Sequence, residues 1–166
     1  MRDHRHPEVQ AAKYAVFVNS GRRYTDCSDD VCKLVGYARS EILTLNIDDL
    51  SFDKISVSPL FEKYQREARQ NGEFILRHKN GTPILVHYNA WVFDDGCHAA
   101  VWEPAEDWEQ LYLAALLETH PSTLRDKANA ALSAIQKRET SFGVAENPAT
   151  RQKLSDAREA LRILLS

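Results

Sequence analysis

The stretch Gly72-Glu-Phe-Ile-Leu-Arg-His-Lys-Asn-Gly-Thr-Pro-Ile-Leu-Val-His-Tyr-Asn-Ala-Trp-Val-Phe-Asp-Asp-Gly-Cys-His-Ala-Ala-Val-Trp-Glu103 decides the fold. It reads as three consecutive antiparallel strands joined by two tight turns. The first strand, Gly72 to Lys79, runs into Asn80-Gly81, the strongest short hairpin signal, because both central residues of a type I′ turn need positive φ. The second strand, Thr82 to Phe93, ends in Asp94-Asp95-Gly96, and the third, Cys97 to Glu103, stops at Pro104.

The alternation along these strands assigns faces, because residues opposite each other in a ladder share one. A strict two-residue turn at Asn80-Gly81 pairs His78 with Pro83, Leu76 with Leu85 and Phe74 with His87. A turn at Asp95-Gly96 sets Phe93 against His98, Trp91 against Ala100 and Asn89 against Trp102. One face then carries Phe74, Leu76, Leu85, Trp91, Phe93 and Trp102. The other carries Ile75, Ile84, Val86, Tyr88, Ala90, Val92, Ala99 and Val101. Both are apolar, unlike a sheet with one solvated side. The first set is expected against helices or a partner subunit, the second in the domain's interior. A bulged turn in either hairpin would exchange these assignments.

Toward the N-terminus, Glu8 to Lys13 suits a short helix and Tyr14-Ala-Val-Phe-Val18 a strand. Asn19-Ser20-Gly21 is a turn cluster, and Arg22 to Cys27 closes a hairpin. Ser28-Asp29-Asp30 offers N-cap chemistry before a short helix that Gly36 stops. Ser40 to Leu43 and Ile47 to Leu50 read as single helical turns. From Ser58-Pro59 to Gln70, the spacing of Leu60, Phe61, Tyr64 and Ala68 predicts a longer helix ended by Asn71-Gly72.

After Pro104 the character changes to three amphipathic helices. Their stripes are Trp108, Leu111, Tyr112, Ala115 and Leu116, then Leu124, Ala128, Ala131, Leu132 and Ile135, and last Leu154, Ala157, Leu161 and Leu165. None buries its stripe alone. The expected organisation is an N-terminal cap over residues 1–13, an α+β domain over 14–104 and a three-helix extension over 105–166.

Of the 166 residues, 43% are hydrophobic and 27% charged, ordinary for a globular protein. A net charge of −3 gives no electrostatic reason to expect nucleic acid or an anionic membrane surface. No run reaches the roughly 18 apolar residues of a membrane span, and the first residues lack the apolar core of a secretory signal. A cytoplasmic location is the expectation. Cys27, Cys32 and Cys97 form no CxxC pair, and their odd number argues against a disulfide framework. They read as small buried residues, with a light- or redox-reactive thiol as the alternative.

The order of elements resembles the PAS domain family, and so do local motifs. Arg23-Tyr-Thr-Asp-Cys-Ser28 followed by Val31-Cys-Lys-Leu-Val-Gly-Tyr37 is similar to the family's strand end and Leu-Leu-Gly-Tyr helix. Ser40-Glu-Ile-Leu43 and Ile47-Asp-Asp-Leu50 resemble its next two short helices, and Arg77-His-Lys-Asn-Gly-Thr82 its Arg-x-Lys-Asp-Gly-Ser hairpin. The likeness spans Tyr14 to Glu103. Ser28 stands where the family has Asn, and Ala38 where it has a capping Ser. The resemblance implies an antiparallel five-stranded sheet with flanking short helices, and a cytoplasmic sensory or dimerisation module holding a small ligand between sheet and helices.

It does not identify the ligand, so the cofactor is left unknown. The predicted long helix carries no His for axial haem ligation, and nothing from Asn46 to Pro59 matches the cysteine motif of flavin photosensors. His78, His87 and His98 do not converge as metal ligands should. There is no P-loop, dinucleotide motif, GxSxG or HExxH, and no kinase or cyclase output. The expectation is a non-enzymatic sensor, a homodimer that binds a small apolar ligand or a signalling protein partner and relays its state through the C-terminal helices. The alternatives are a ligand-free dimerisation module and a small α+β pocket enzyme or carrier. Strand parity and family position nominate Val16, Val18, Ile84, Val86, Tyr88 and Ala90 for the ligand, and Leu85, Trp91, Trp102, Trp108 and Leu111 for an interface.

Overall fold

The computed structural model describes residues 7–53, 69–143 and 146–166. The chain divides into two compact units, Met1–Pro104 and Ala105–Ser166.

In the first unit a short helix α1 (Pro7–Gln10) precedes strands β1 (Ala15–Val18) and β2 (Tyr24–Cys27). Three short helices follow: α2 (Asp29–Val35), α3 (Arg39–Ile42) and α4 (Ile47–Leu50). Strands β3 (Arg69–Arg77), β4 (Pro83–Val92) and β5 (His98–Pro104) complete an antiparallel sheet of order β2-β1-β5-β4-β3. The first and last hairpins thus meet through β1 and β5 at the centre of the sheet.

Sequence chemistry sets several element ends. Gly36 stops α2 at φ 75°, a left-handed cap in which its N–H donates to the Cys32 carbonyl. Ala38 cannot cap α3, and the Glu41 carboxylate accepts the Ala38 N–H at 2.8 Å instead. Ser28 does not cap α2 through its side chain. Its hydroxyl donates to the Lys13 carbonyl at 2.7 Å and accepts the Ala15 N–H at 3.2 Å, sewing the start of β1 to the end of β2.

The predicted helix from Ser58-Pro59 falls mostly outside the described residues, and its last two positions are strand. Arg69, Gln70 and Asn71 pair with Trp91, Ala90 and Asn89, so β3 begins three residues earlier than Gly72. A ladder of this length outweighs the local helix-stop signal of Asn71-Gly72.

The hairpin registers also differ from expectation. Phe74 pairs with Val86 and Leu76 with Ile84; Tyr88 pairs with Trp102 and Trp91 with Ala99. Both loops hold three residues rather than two. The Gly81 N–H donates to the His78 carbonyl at 2.8 Å, and the His78 N–H to the Thr82 carbonyl at 2.8 Å. Gly96 and Phe93 repeat this pattern with Cys97, each bond at 2.9 Å. Gly81 (φ 91°) and Gly96 (φ 78°) each end a type I turn in the left-handed region, a bulged hairpin. The side chains of Asn80 and Asp95 accept the N–H groups of Thr82 and Cys97, both at 3.0 Å.

One extra residue per loop reverses the parity of β3 and β5 relative to β4. Phe74, Leu76 and Trp102 therefore share the inner core with Val16, Val18, Val86, Tyr88 and Ala90. Ala99 and Val101 lie on the other face with Ala15, Phe17, Trp91 and Phe93, where Val9 of α1 joins them. The helices α2, α3 and α4 close the inner core with Val31, Val35, Ile42 and Leu50, all fully buried. Backbone bonds hold this layer in place: the Tyr24 N–H donates to the Leu45 carbonyl (3.1 Å) and the Phe52 N–H to the Ile75 carbonyl (2.9 Å).

In the second unit, α5 (Asp107–Leu116), α6 (Pro121–Thr140) and α7 (Pro148–Leu165) pack on one another. Proline occupies the first turn of α6 and α7, where its missing N–H costs nothing, and Asn147 Oδ1 caps α7 by accepting the Ala149 N–H at 2.9 Å. Trp108, Ala115, Ala128, Ala131, Ile135, Leu154, Ala157 and Leu161 form the unit's own core. Four of these eight are alanines, which permits close helix approach. Arg138 bridges Glu106 (2.8 Å) and Glu146 (3.0 Å) across the loop after α6.

Candidate functional site

The inner face of the sheet borders a cavity of about 60 Å³, room for roughly four waters or a small organic molecule. Among the described residues it is lined by Val16 and Val18 of β1, Tyr24 of β2, Ile47 of α4, Phe74 of β3, Tyr88 and Ala90 of β4, and His98, Ala100 and Trp102 of β5. The small residues explain why space remains. Ala90 and Ala100 are cross-strand partners, so two methyl groups meet where larger side chains would close the centre.

Among the described residues, Tyr24, Phe74, Tyr88 and Trp102 add aromatic rings to the wall. Tyr24 and Trp102 meet edge to face, centroids 6.4 Å apart at 88°, an arrangement that adds about 1 kcal/mol beyond area burial. Tyr88 lies across its partner Gly72, where an added β-carbon would come within 3.2 Å of the phenolic oxygen. Glycine at 72 therefore leaves the ring its place.

The described lining residues include no Asp, Glu, Lys or Arg. Burial, followed by the nearby charges of Asp48 and Asp49, raises the Tyr24 hydroxyl well above its ordinary pKa. Burial lowers the His98 imidazole, and Asp95 opposes that shift. Both groups are thus neutral at pH 7, and the cavity suits an uncharged guest. Gln70, 5% exposed, stands across from Ala90 on the same sheet face, and its amide nitrogen has no hydrogen-bond partner among the described residues.

Of the six positions nominated for a ligand, Val16, Val18, Tyr88 and Ala90 reach the cavity. Val86 and Ile84 belong to the adjoining core without bordering it among the described residues. The interface set separates. Trp102 is a cavity residue, not an outer-face one, because of the bulged hairpins. Trp91 does lie on the outer face, packed with Val9, Ala15 and Ala99 beneath the Arg69 guanidinium, which sits 5.5 Å from the ring centroid. Leu85, also on the outer face, is half-buried. Trp108 fills the core of the helical unit, whereas Leu111 is 36% exposed.

Sequence reasoning missed Tyr24, Ile47, Phe74, His98 and Ala100. The signal for Phe74, His98 and Ala100 was present in the Lys79-Asn80-Gly81 and Asp94-Asp95-Gly96 triplets, read as three-residue loops. No comparable local signal exists for Ile47, which reaches the cavity through the fold of the helical segment.

No helix among the described residues is long and apolar enough to cross a membrane. A comparison with curated proteins gives no match. Solved structures with the same fold include a domain of a sensory box sensor histidine kinase/response regulator from Geobacter sulfurreducens. That match has 20% identity and a TM-score of 0.51 over 58% of this chain and 87% of the other. Another is the PAS domain, in complex with ethanol, of a LuxR-family transcriptional regulator from Burkholderia thailandensis (14% identity, TM-score 0.51, 62% and 97% covered). A third is the dark structure of the blue-light photoreceptor Aureochrome1 LOV (16% identity, TM-score 0.52, 69% and 94% covered). The PAS domain family model matches residues 13–102, more than half of the sequence, and the chain belongs to that sensory and signalling family.

Proposed function

We propose that this PAS domain is a cytoplasmic, non-catalytic sensor that takes a small, uncharged, largely apolar molecule into its inner cavity and relays occupancy through the C-terminal helices. The observation that carries the reading is the source of the cavity wall. His98, Ala100 and Trp102 all come from β5, and three residues after Trp102 the chain enters the helical unit at Ala105. A guest that shifts β5 acts on the strand covalently joined to α5, and its differential affinity for two arrangements is what shifts their populations.

The chemistry of the wall supports a neutral guest, since its described lining residues carry no Asp, Glu, Lys or Arg. The ethanol held by the Burkholderia thailandensis PAS domain is a guest of comparable size. The recipient of the signal is a second copy of the chain or a signalling protein. Leu116, Leu117, Ile163 and Leu164, exposed on the helical unit, supply apolar surface for it.

Native mass spectrometry of freshly purified protein, compared with the denatured mass, tests this. A retained non-covalent mass is expected on a dimer. A dimer with no added mass, unchanged after incubation with short alcohols and ketones, overturns the ligand and leaves a dimerisation module.

A further inference from the structure

We infer that Cys27 and Cys32 form a two-thiol oxidation site at which a hydroperoxide converts the pair to a disulfide. The inference stands independently of the cavity's guest. Cys27 ends β2 and is buried, Cys32 lies in α2 and is half-buried, and their sulfurs stand 3.7 Å apart. The connecting chain is held on both sides. Its Ser28 N–H donates to the Ala15 carbonyl at 2.9 Å, and the Val31 N–H donates to the Ser28 carbonyl at 3.1 Å. The two thiols therefore meet because the strand–helix junction places them together.

Exposure sets the order of steps. Cys32 is the less buried residue of the two. Cys27 is pushed up to about 12, first by burial and then by its hydrogen bond with Cys32, so it stays a thiol at neutral pH. The Cys32 thiolate attacks the outer peroxide oxygen and the O–O bond breaks. The departing alkoxide (hydroxide, for hydrogen peroxide) takes a proton, leaving a sulfenic acid on Cys32. The Cys27 sulfur then attacks the Cys32 sulfur, the S–O bond breaks, and hydroxide departs with the Cys27 proton as water. Two thiols are oxidised by two electrons, and one hydroperoxide is reduced to an alcohol and a water.

The consequence reaches the sheet. Closing the pair to the roughly 2.05 Å of a disulfide draws the end of β2 toward α2. Cys27 is the ladder partner of Val16, a cavity residue, and shares a core with Tyr24 and Trp102.

The test uses the full chain, reduced, desalted and exposed to one equivalent of hydrogen peroxide, then alkylated under denaturing conditions and digested with trypsin. Cys27 and Cys32 fall in one tryptic peptide, 24–33, and Cys97 in another. The expected product is peptide 24–33 unalkylated and about 2 Da lighter than the dithiol, restored by dithiothreitol, with Cys97 alkylated. Cys27→Ser should let dimedone trap a sulfenic acid on Cys32. Formation in urea-unfolded chain should be severalfold slower. Equal yield in urea, oxidation at Cys97 with peptide 24–33 still fully alkylated, or sulfinic acid on Cys32 beside an alkylated Cys27 would each overturn the inference.

Discussion

The His78 imidazole occupies the space beside Gly36: a β-carbon on Gly36 would stand 2.4 Å from the ring's Cε1 and Nε2 atoms. The same glycine holds φ 75°, and the adjacent Val35 carbonyl accepts the Lys79 N–H at 2.9 Å. The end of α2 and the β3–β4 hairpin are thereby locked together. Gly36→Ala is expected to cost about 2 kcal/mol or more, from left-handed backbone strain plus displacement of the ring. Adding His78→Ala should recover the steric share and leave about 1 kcal/mol of backbone cost. Urea unfolding of the two variants checks this, and a single variant as stable as the parent would contradict it.

Trp102 and Ala100 border one cavity from the same strand and should respond in opposite ways. Trp102→Ala enlarges a buried space and should cost about 3–5 kcal/mol. Ala100→Val fills the space, should cost less than about 1.5 kcal/mol, and should abolish any retained small molecule. Thermal unfolding and native mass spectrometry of both proteins measure the difference. Retention of the guest by Ala100→Val would place it elsewhere.

His98 makes the first unit acid-sensitive. Burial lowers its pKa below the usual 6.5, so the unfolded chain binds more protons than the folded one between the two values. The stabilisation is fully present above pH 6.5 and is lost as the pH falls toward the lower, folded pKa. Thermal midpoints of this unit's transition are expected to drop between pH 7.5 and 5.5, and His98→Gln should flatten the profile. An unchanged slope in that variant would assign the effect to another group.

Glu118 gives the helical unit a separate acid limit. The Lys127 ammonium, 2.6 Å away, and the His120 N–H hold its carboxyl down to about 2. Its contribution is present above the ordinary carboxylate pKa of about 4.3 and disappears as the pH falls toward 2. Glu118→Gln should remove that part of the acid transition while lowering stability near pH 7 only slightly, since solvent screens an exposed pair. Circular dichroism along an acid titration reads the difference.

The five strands and most short helices were legible because each carries its own punctuation: Gly36 ends α2, Pro104 ends β5, and Pro121 and Pro148 open helices. The interface group was less legible. Trp91 and Trp102 look equivalent in an alternating pattern, yet one packs under Arg69 and the other beside Tyr24. Trp108 belongs to an amphipathic stripe that its own unit buries. Amphipathicity states that a face must be covered, not by what.

The sequence by itself determined the meander, where its turns fall and the apolar character of both sheet faces, because turn-forming residues and period-two alternation are local properties. The tertiary structure decided which face Phe74, Ala100 and Trp102 join, since one added loop residue inverts a whole strand and its cost depends on what each face meets. It also decided that Cys27 and Cys32, five positions apart, touch. Spacing fixes contacts only within one regular element, and these two lie on either side of a strand–helix junction.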